Sequence, residues 1–340
     1  MSGHRDGKRY SAGVTTVQSY SGDMPESEKS LIRRIRRLAA GGSAVVTGIG
    51  DDAAVLRIPP GHEMLVTTDF TIEKVHFRRE WHRPAAVGWR CLARGLSDIA
   101  AMGGEPQAAF LSLALGGDVR QKWVEQFLNG FLELANKHKV PLAGGDTAQS
   151  ADGIQADVVV VGSVPKGNAV LRSGAKPGEQ IYVTGELGGS AMALARLTEG
   201  LPLGAEYYRH FRPEPRVEVG RWLRQNGVPS AMIDVSDGLS TDLEHICKES
   251  HVGADLESEA IPRARTGQGK KRVGLDHALH GGDDYELLFT SARPVPSNVE
   301  GVPVTRIGRT TVSSGMRLID ADGKSSPFEV RGWEHFRSGA

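Results

Sequence analysis

The chain has 340 residues, 39% hydrophobic and 24% charged, an ordinary soluble globular composition long enough to divide into two domains. Lys plus Arg and Asp plus Glu number 41 each, so no net field draws the protein to nucleic acid or a membrane surface. No apolar run approaches the roughly 18 residues of a membrane span, and the N-terminus lacks the apolar core of a signal peptide, which predicts a cytoplasmic protein. Cys91 and Cys247 are too few and too distant for a disulfide framework or a thiolate zinc site, and they read as buried small hydrophobes.

Residues 1–26 are polar and aperiodic, which predicts a disordered tail, with Met24 as an alternative start. Ser27 is placed to cap a helix running to Ala40, with Leu31, Ile32, Ile35 and Leu38 on one face and Arg33, Arg34, Arg36 and Arg37 towards water. Strands are expected at 53–58 and 64–68. Pro84 opens a helix whose buried stripe is Trp89, Leu92, Leu96 and Ile99. Asp98 lies off that stripe, four residues after Arg94, and spacing alone reads the two as an exposed ion pair. A strand at 108–115, a helix at 119–138, a short strand at 140–143 and an interior strand at 157–164 complete the first half.

The Gly- and Pro-rich stretch 166–178 marks a boundary between domains at 27–165 and 166–338. A strand at 180–184 then enters a glycine turn at 185–189 and a helix at 190–197. That turn could cradle phosphate, but it has neither the P-loop nor the dinucleotide ending, so turn and cap chemistry explains it. A helix at 215–226, a strand at 231–235, a helix at 236–250 capped by Ser236 and a structureless basic loop at 263–272 follow. Strands at 285–290, 304–309 and 316–319 close the chain. Strands and helices alternate without a strict βαβ rhythm, which predicts an α+β or mixed α/β fold.

Function is concentrated in aspartates that close short apolar runs beside Gly, Ser or Thr. Asp51 and Asp52 lie in GIGDDAAVL at 48–56; Asp69, Asp98, Asp146, Asp234, Asp237, Asp283 and Asp284 sit in comparable settings. Such a series suits an oxygen cage for a hard cation, and magnesium commonly shares its carboxylates with substrate phosphates.

Taken together, GIGDDAAVL at 48–56, TTDF at 67–70, LSDIAAMGG at 96–104, AGGDT at 143–147, LRSGAKPGE at 171–179, IDVSDGLSTDL at 233–243 and GGDDYEL at 281–287 closely resemble the thiamine-monophosphate kinases, from about Ser27 to Phe336. The resemblance implies a two-domain fold shared with aminoimidazole ribonucleotide synthetase, with an N-terminal domain that pairs in a homodimer and a layered α/β C-terminal domain. It implies ATP-dependent phosphorylation of thiamine monophosphate to thiamine diphosphate. It further implies several magnesium ions held by Asp52, Asp69, Asp98, Asp146, Asp234 and Asp237. ATP contacts correspond to Thr67, Thr68, Gly145, Asp146, Arg172 and Ser236, and substrate contacts to His76, Asp283 and Trp333. Two departures stand out. Asp283 replaces the glutamate of the family's Gly-Gly-Glu-Asp pattern and is one methylene shorter, and the N-terminal tail has no counterpart.

The acceptor phosphate, with a second pKa of about 6, is mostly ionised at neutral pH and attacks without a general base. No Ser-His-Asp or Cys-His arrangement offers a covalent nucleophile, so direct in-line transfer is the expectation. The other readings are a different ATP-dependent enzyme of the same superfamily and a non-catalytic sensor of thiamine phosphates or nucleotides.

Overall fold

The structure is a computed structural model that describes residues 28–39, 41–266 and 271–333. The expected tail at 1–26, the Ser27 cap, the centre of the basic loop at 263–272 and the chain end after Trp333 lie outside the described residues.

The first half is built on a four-stranded sheet ordered His62–Ile72, Ile154–Pro165, Glu105–Leu115, Leu142–Gln149. The last pair is parallel and needs a crossover, which the helix Gln121–Lys137 supplies; the other pairings are antiparallel. Strand alternation turns Leu65 and Thr71 to a buried face and leaves Met64, Val66 and Phe70 on an open one, 57%, 58% and 59% exposed.

The helix Pro84–Ala101 crosses the buried face. Its expected stripe of Trp89, Leu92, Leu96 and Ile99 is buried, but so is nearly every other position. The reason is tertiary: Gln121–Lys137 packs on one side and Val217–Gln225, from the second half, on another. Glycines permit this crowding. A Cβ at Gly88 would fall 1.9 Å from the carbonyl oxygen of Phe127, and one at Gly130 would fall 1.8 Å from that of Ala85. Any side chain there would push the two helices apart.

The second half holds an eight-stranded sheet. Its main path is Ser325–Pro327, Met316–Ile319, Gly253–Glu257, Val302–Thr311, Gln180–Thr184, Leu287–Ser291, Ala231–Asp234, and Asn298–Val299 pairs with Val302–Thr311. Ile233, Leu243, Ile246, Leu288 and Ile307 centre its core. The first core reaches into this half through Val217, Leu223, Met232 and Phe289, so apolar packing joins the two sheets.

Strands at 180–184 and 316–319 have the expected bounds. Four local expectations are corrected. The strand expected at 140–143 runs on to Gln149, placing Gly145 and Asp146 inside the ladder beside Leu111 and Ser112. Ser236 does not cap the next helix, which begins at Leu239; the buried Asp242 carboxylate instead accepts the N–H groups of Ser236, Asp237 and Gly238 at 3.0–3.2 Å. The stretch expected to be structureless instead contributes two short strands, Arg265–Thr266 and Lys271–Arg272, that pair antiparallel. In the helix Glu28–Leu38 only Leu31 is fully buried, while Ile32 and Ile35 border a cavity and Leu38 is exposed. Cys91 and Cys247 are buried and free. No helix among the described residues is long and apolar enough to cross a membrane.

Candidate active site

Three carboxylates from three elements converge: Asp69 on the strand His62–Ile72, Asp98 on the helix Pro84–Ala101, and Asp234 at the end of Ala231–Asp234. Thr67 Oγ1 donates to Asp98 Oδ2, and Ser97 Oγ donates to Asp234 Oδ2 at 2.6 Å. Burial first, then the Asp98 charge, pushes the Asp69 carboxyl up to about 7. Burial also raises Asp98, with Asp234 adding to it, and raises Asp234, where the Ser97 hydroxyl opposes and Asp69 adds. Arg172 is close enough for its charge to pull both of these back down. The expected exposed pair of Arg94 with Asp98 is not formed. Arg94 Nε instead faces Asp69 Oδ1 at 3.6 Å, and Asp98 points to Thr67.

The donor set fits a hard cation chemically: oxygen-only ligands, crowded and desolvated, whose mutual repulsion a bound ion would relieve. Among the described residues no three such side chains already stand as ligands of one ion.

A second cluster adjoins the first. Asp283 is gripped by Arg90 Nη2 at 2.8 Å and by the Tyr285 hydroxyl at 2.6 Å. Burial favours its neutral form, but Arg90 and Arg94 outweigh that and hold the carboxyl well below the usual range. Ser236 connects the clusters, its carbonyl accepting the Asp283 N–H at 2.8 Å. Trp333, 47% exposed, is tied in by its N–H to the Asp237 carbonyl at 3.0 Å. The glycine turn at 185–189 is not open to phosphate, because the Asp284 carboxylate occupies the N–H groups of Gly188 (2.6 Å) and Ser190 (3.5 Å).

Asp52, Gly145 and Asp146 are elsewhere. They line a cavity of about 480 Å³ with Asp51, Gly48, Gly50 and Phe110. Asp69 and Asp146 belong to opposite edge strands, on the order of 14 Å apart across the intervening pair. They also point to opposite faces: Asp146 shares a row with Ser112, Asp157 and Phe70, and Phe70 alternates with Asp69. Thr68 is on that open face as well, donating to Asp157 at 2.7 Å. His76 lies in the turn after the edge strand, its Nδ1 accepting the Ile72 N–H at 3.0 Å. One chain therefore gathers Asp69, Asp98, Asp234, Thr67 and Arg172, and knits Ser236, Asp237, Asp283 and Trp333 beside them. It does not bring Asp52 and Asp146 to that place.

Sequence reasoning missed Arg90, Tyr285, Ser97 and Asp157 as supports of these groups. Their partners lie 193, 2, 137 and 89 residues away, respectively. Only the Tyr285 to Asp283 spacing was open to local reading.

Family models match twice. "AIR synthase related protein, N-terminal domain" covers residues 50–164, and the corresponding C-terminal domain covers 176–320. The thiamine-monophosphate kinase of Salmonella typhimurium is 39% identical over 326 residues, spanning 91% of this chain and 98% of that protein. The Bacillus subtilis thiamine-monophosphate kinase is 35% identical over 324 residues, spanning 91% and 99%. The chain belongs to the thiamine-monophosphate kinase family. The family fold is matched in three dimensions by the crystal structure of the Stenotrophomonas maltophilia K279a thiamine-monophosphate kinase, with a TM-score of 0.78, 36% identity and coverage of 88% of this chain and 98% of that one. AaThiL complexed with AMPPCP and TMP gives a TM-score of 0.71 at 30% identity, covering 91% and 96%. The two-domain, aminoimidazole ribonucleotide synthetase-like architecture expected from the sequence is thereby established.

Proposed function

We propose that the chain transfers the γ-phosphoryl group of ATP to thiamine monophosphate, giving thiamine diphosphate and ADP in the cytoplasm. The observation that carries this reading is the desolvated Asp69, Asp98 and Asp234 cluster beside Arg172, in a chain whose relatives are thiamine-monophosphate kinases. The acceptor phosphate is its own nucleophile, so no protein base is needed. Arg172 offers a planar fork to nucleotide phosphates, with Thr67, Thr68, Gly145 and Ser236 as further nucleotide contacts. His76, Asp283 and Trp333 contact the acceptor, an indole ring being a suitable neighbour for a cationic thiazolium. Magnesium ions on Asp52, Asp69, Asp98, Asp146, Asp234 and Asp237 would screen the phosphate charges and favour in-line geometry.

The same reading divides the chain into domains at 27–165 and 166–338 and makes the protein a homodimer. Two observations support the dimer. Met64, Val66 and Phe70 leave an apolar sheet face open. A single chain also leaves Asp52 and Asp146 on the far edge of the sheet from Asp69. A second copy that brought its own Asp52 and Asp146 to the edge strand carrying Asp69 would complete one site with groups from two chains.

The test is turnover of purified protein with Mg-ATP and thiamine monophosphate. Equimolar thiamine diphosphate and ADP, abolished by Asp52→Asn, is the expected result. Binding without turnover would replace the kinase reading with a sensor, and turnover of another phosphate acceptor alone would replace the substrate.

A further inference from the structure

The loop at 281–285 is held in a conformation that ordinary residues resist. Asp283 and Tyr285 both have positive φ, 64° and 52°. The surroundings impose it: the Asp283 N–H donates to the Ser236 carbonyl at 2.8 Å, and the Tyr285 N–H donates to the Val235 carbonyl at 2.9 Å. Asp284 anchors the loop from below on the Gly188 N–H at 2.6 Å. The backbone is thus set before the Asp283 side chain makes any contact.

The side chain is then fixed from the helix Pro84–Ala101. Arg90, 3% exposed, spends one guanidinium nitrogen on Asp283 Oδ2 and the other on the carbonyl of His210, so both ends of the fork are committed. The Tyr285 hydroxyl takes the remaining carboxylate oxygen, Oδ1. His82 and His210 lie near enough to feel the Arg90 charge, their rings 5.2 Å apart, and Phe211 packs on both. Burial, with Arg90 second, keeps these imidazoles neutral, at about 4 and about 3. Asp283 is the one carboxylate among the described residues within ion-pair distance of Arg90. Its side chain still keeps 35% of its surface accessible, and each oxygen has a second lone pair for a ligand.

We propose that Arg90 and Tyr285 are positioning residues that clamp the Asp283 carboxylate at a fixed point for the cationic ring system of the acceptor. This rests on the reading of Asp283 as an acceptor contact. The two contacts on Oδ1 and Oδ2 settle where the short Asp283 side chain ends. Arg90 touches neither substrate; it acts through Asp283.

The test is a double-mutant cycle in the full chain, read as KM for thiamine monophosphate and for ATP separately. Arg90→Met and Asp283→Asn should each raise the thiamine monophosphate KM about tenfold or more and leave the ATP KM within about twofold. The double variant should be no worse than Asp283→Asn alone, and Arg90→Lys, which keeps the charge but loses the fork, should fall between. Tyr285→Phe removes one hydroxyl without leaving a buried charge unpaired. It should raise the same KM about threefold, and not at all in the Asp283→Asn background, which keeps the test open if Arg90→Met fails to fold. Multiplying effects, or a parallel rise in the ATP KM, would overturn the clamp while leaving the kinase reading intact. A wild-type protein that does not turn over thiamine monophosphate would overturn the kinase reading and the clamp with it.

Discussion

The two neighbouring clusters solve the problem of buried charge in opposite ways. Around Asp283 the charge is balanced from within: Arg90 and Arg94 answer it, Tyr285 donates to it, and its carboxyl is held low. Around Asp69, Asp98 and Asp234 three carboxylates share one weakly matched region, and their carboxyls are pushed up. A self-neutralised cluster is a fixed template, whereas an under-neutralised one is a receptor for positive charge. The first suits recognition of an acceptor ring and the second suits metal-assisted phosphate chemistry.

Removing a member of the receptor cluster should have the largest effect. Asp98→Asn is expected to lower kcat/KM for thiamine monophosphate by at least about 10²–10³-fold, as loss of an electrostatic group acting on developing phosphate charge does. A loss under tenfold in steady-state assays would remove Asp98 from the site.

The separation of Asp52 from Asp98 within one chain sharpens the comparison further. If the receptor cluster is completed across a dimer, mixing Asp52→Asn with Asp98→Asn protein should regain up to about a quarter of wild-type activity as subunits exchange. No recovery, in mixtures shown by native mass spectrometry to contain heterodimers, would mean that each chain holds its own complete set.

Stability gives a smaller effect. Asp69 has a folded pKa raised to about 7 from 3.8, so its contribution is present at low pH and lost as pH rises through about 7. The metal-free protein should therefore melt lower at pH 8 than at pH 5.5, more so than Asp69→Asn. Magnesium with an ATP analogue at a hundredfold excess over Kd should raise the pH 8 melting temperature by about 2–5 °C. An unchanged melting curve at saturating ligand would count against a cation receptor.

The balanced cluster has the opposite sign. His82 is lowered from 6.5 to about 4, so its contribution is held above 6.5 and lost as pH falls through about 4. Acid unfolding followed by circular dichroism should show a midpoint that moves to lower pH in His82→Gln. A midpoint that stays where it was would mean that other groups govern acid unfolding.

Much of the architecture was legible because its causes are local. The strand at 180–184 and the Pro84 helix follow from apolar period and a proline at the first turn. The strand Gly253–Glu257 was missed, since its five residues follow directly on a helix ended by His251 in the left-handed region, and no turn signal separates them. The candidate site was legible as a set of aspartates but not as an arrangement. Arg90, Arg94 and Asp98 repeat every four residues and look like a solvated ladder on one helix face. Their partners are Asp283, Asp69 and Thr67, all outside the helix. Nothing in a helical repeat announces a carboxylate that arrives 193 residues later.

The contact of Gly88 and Gly130 has a consequence for anyone who would redesign this protein. Arg90, Arg94, Ser97 and Asp98 project from one rigid rod, and the glycine contact fixes where that rod sits. A single methyl group at position 88 or 130 would shift all four together, as the teeth of a key move with its shaft. New acceptor specificity is better sought at Asp283, whose side chain is partly accessible, than at Gly281 and Gly282, where an added Cβ would fall 2.3 Å from Ala191 and 2.4 Å from the Ser236 carbonyl.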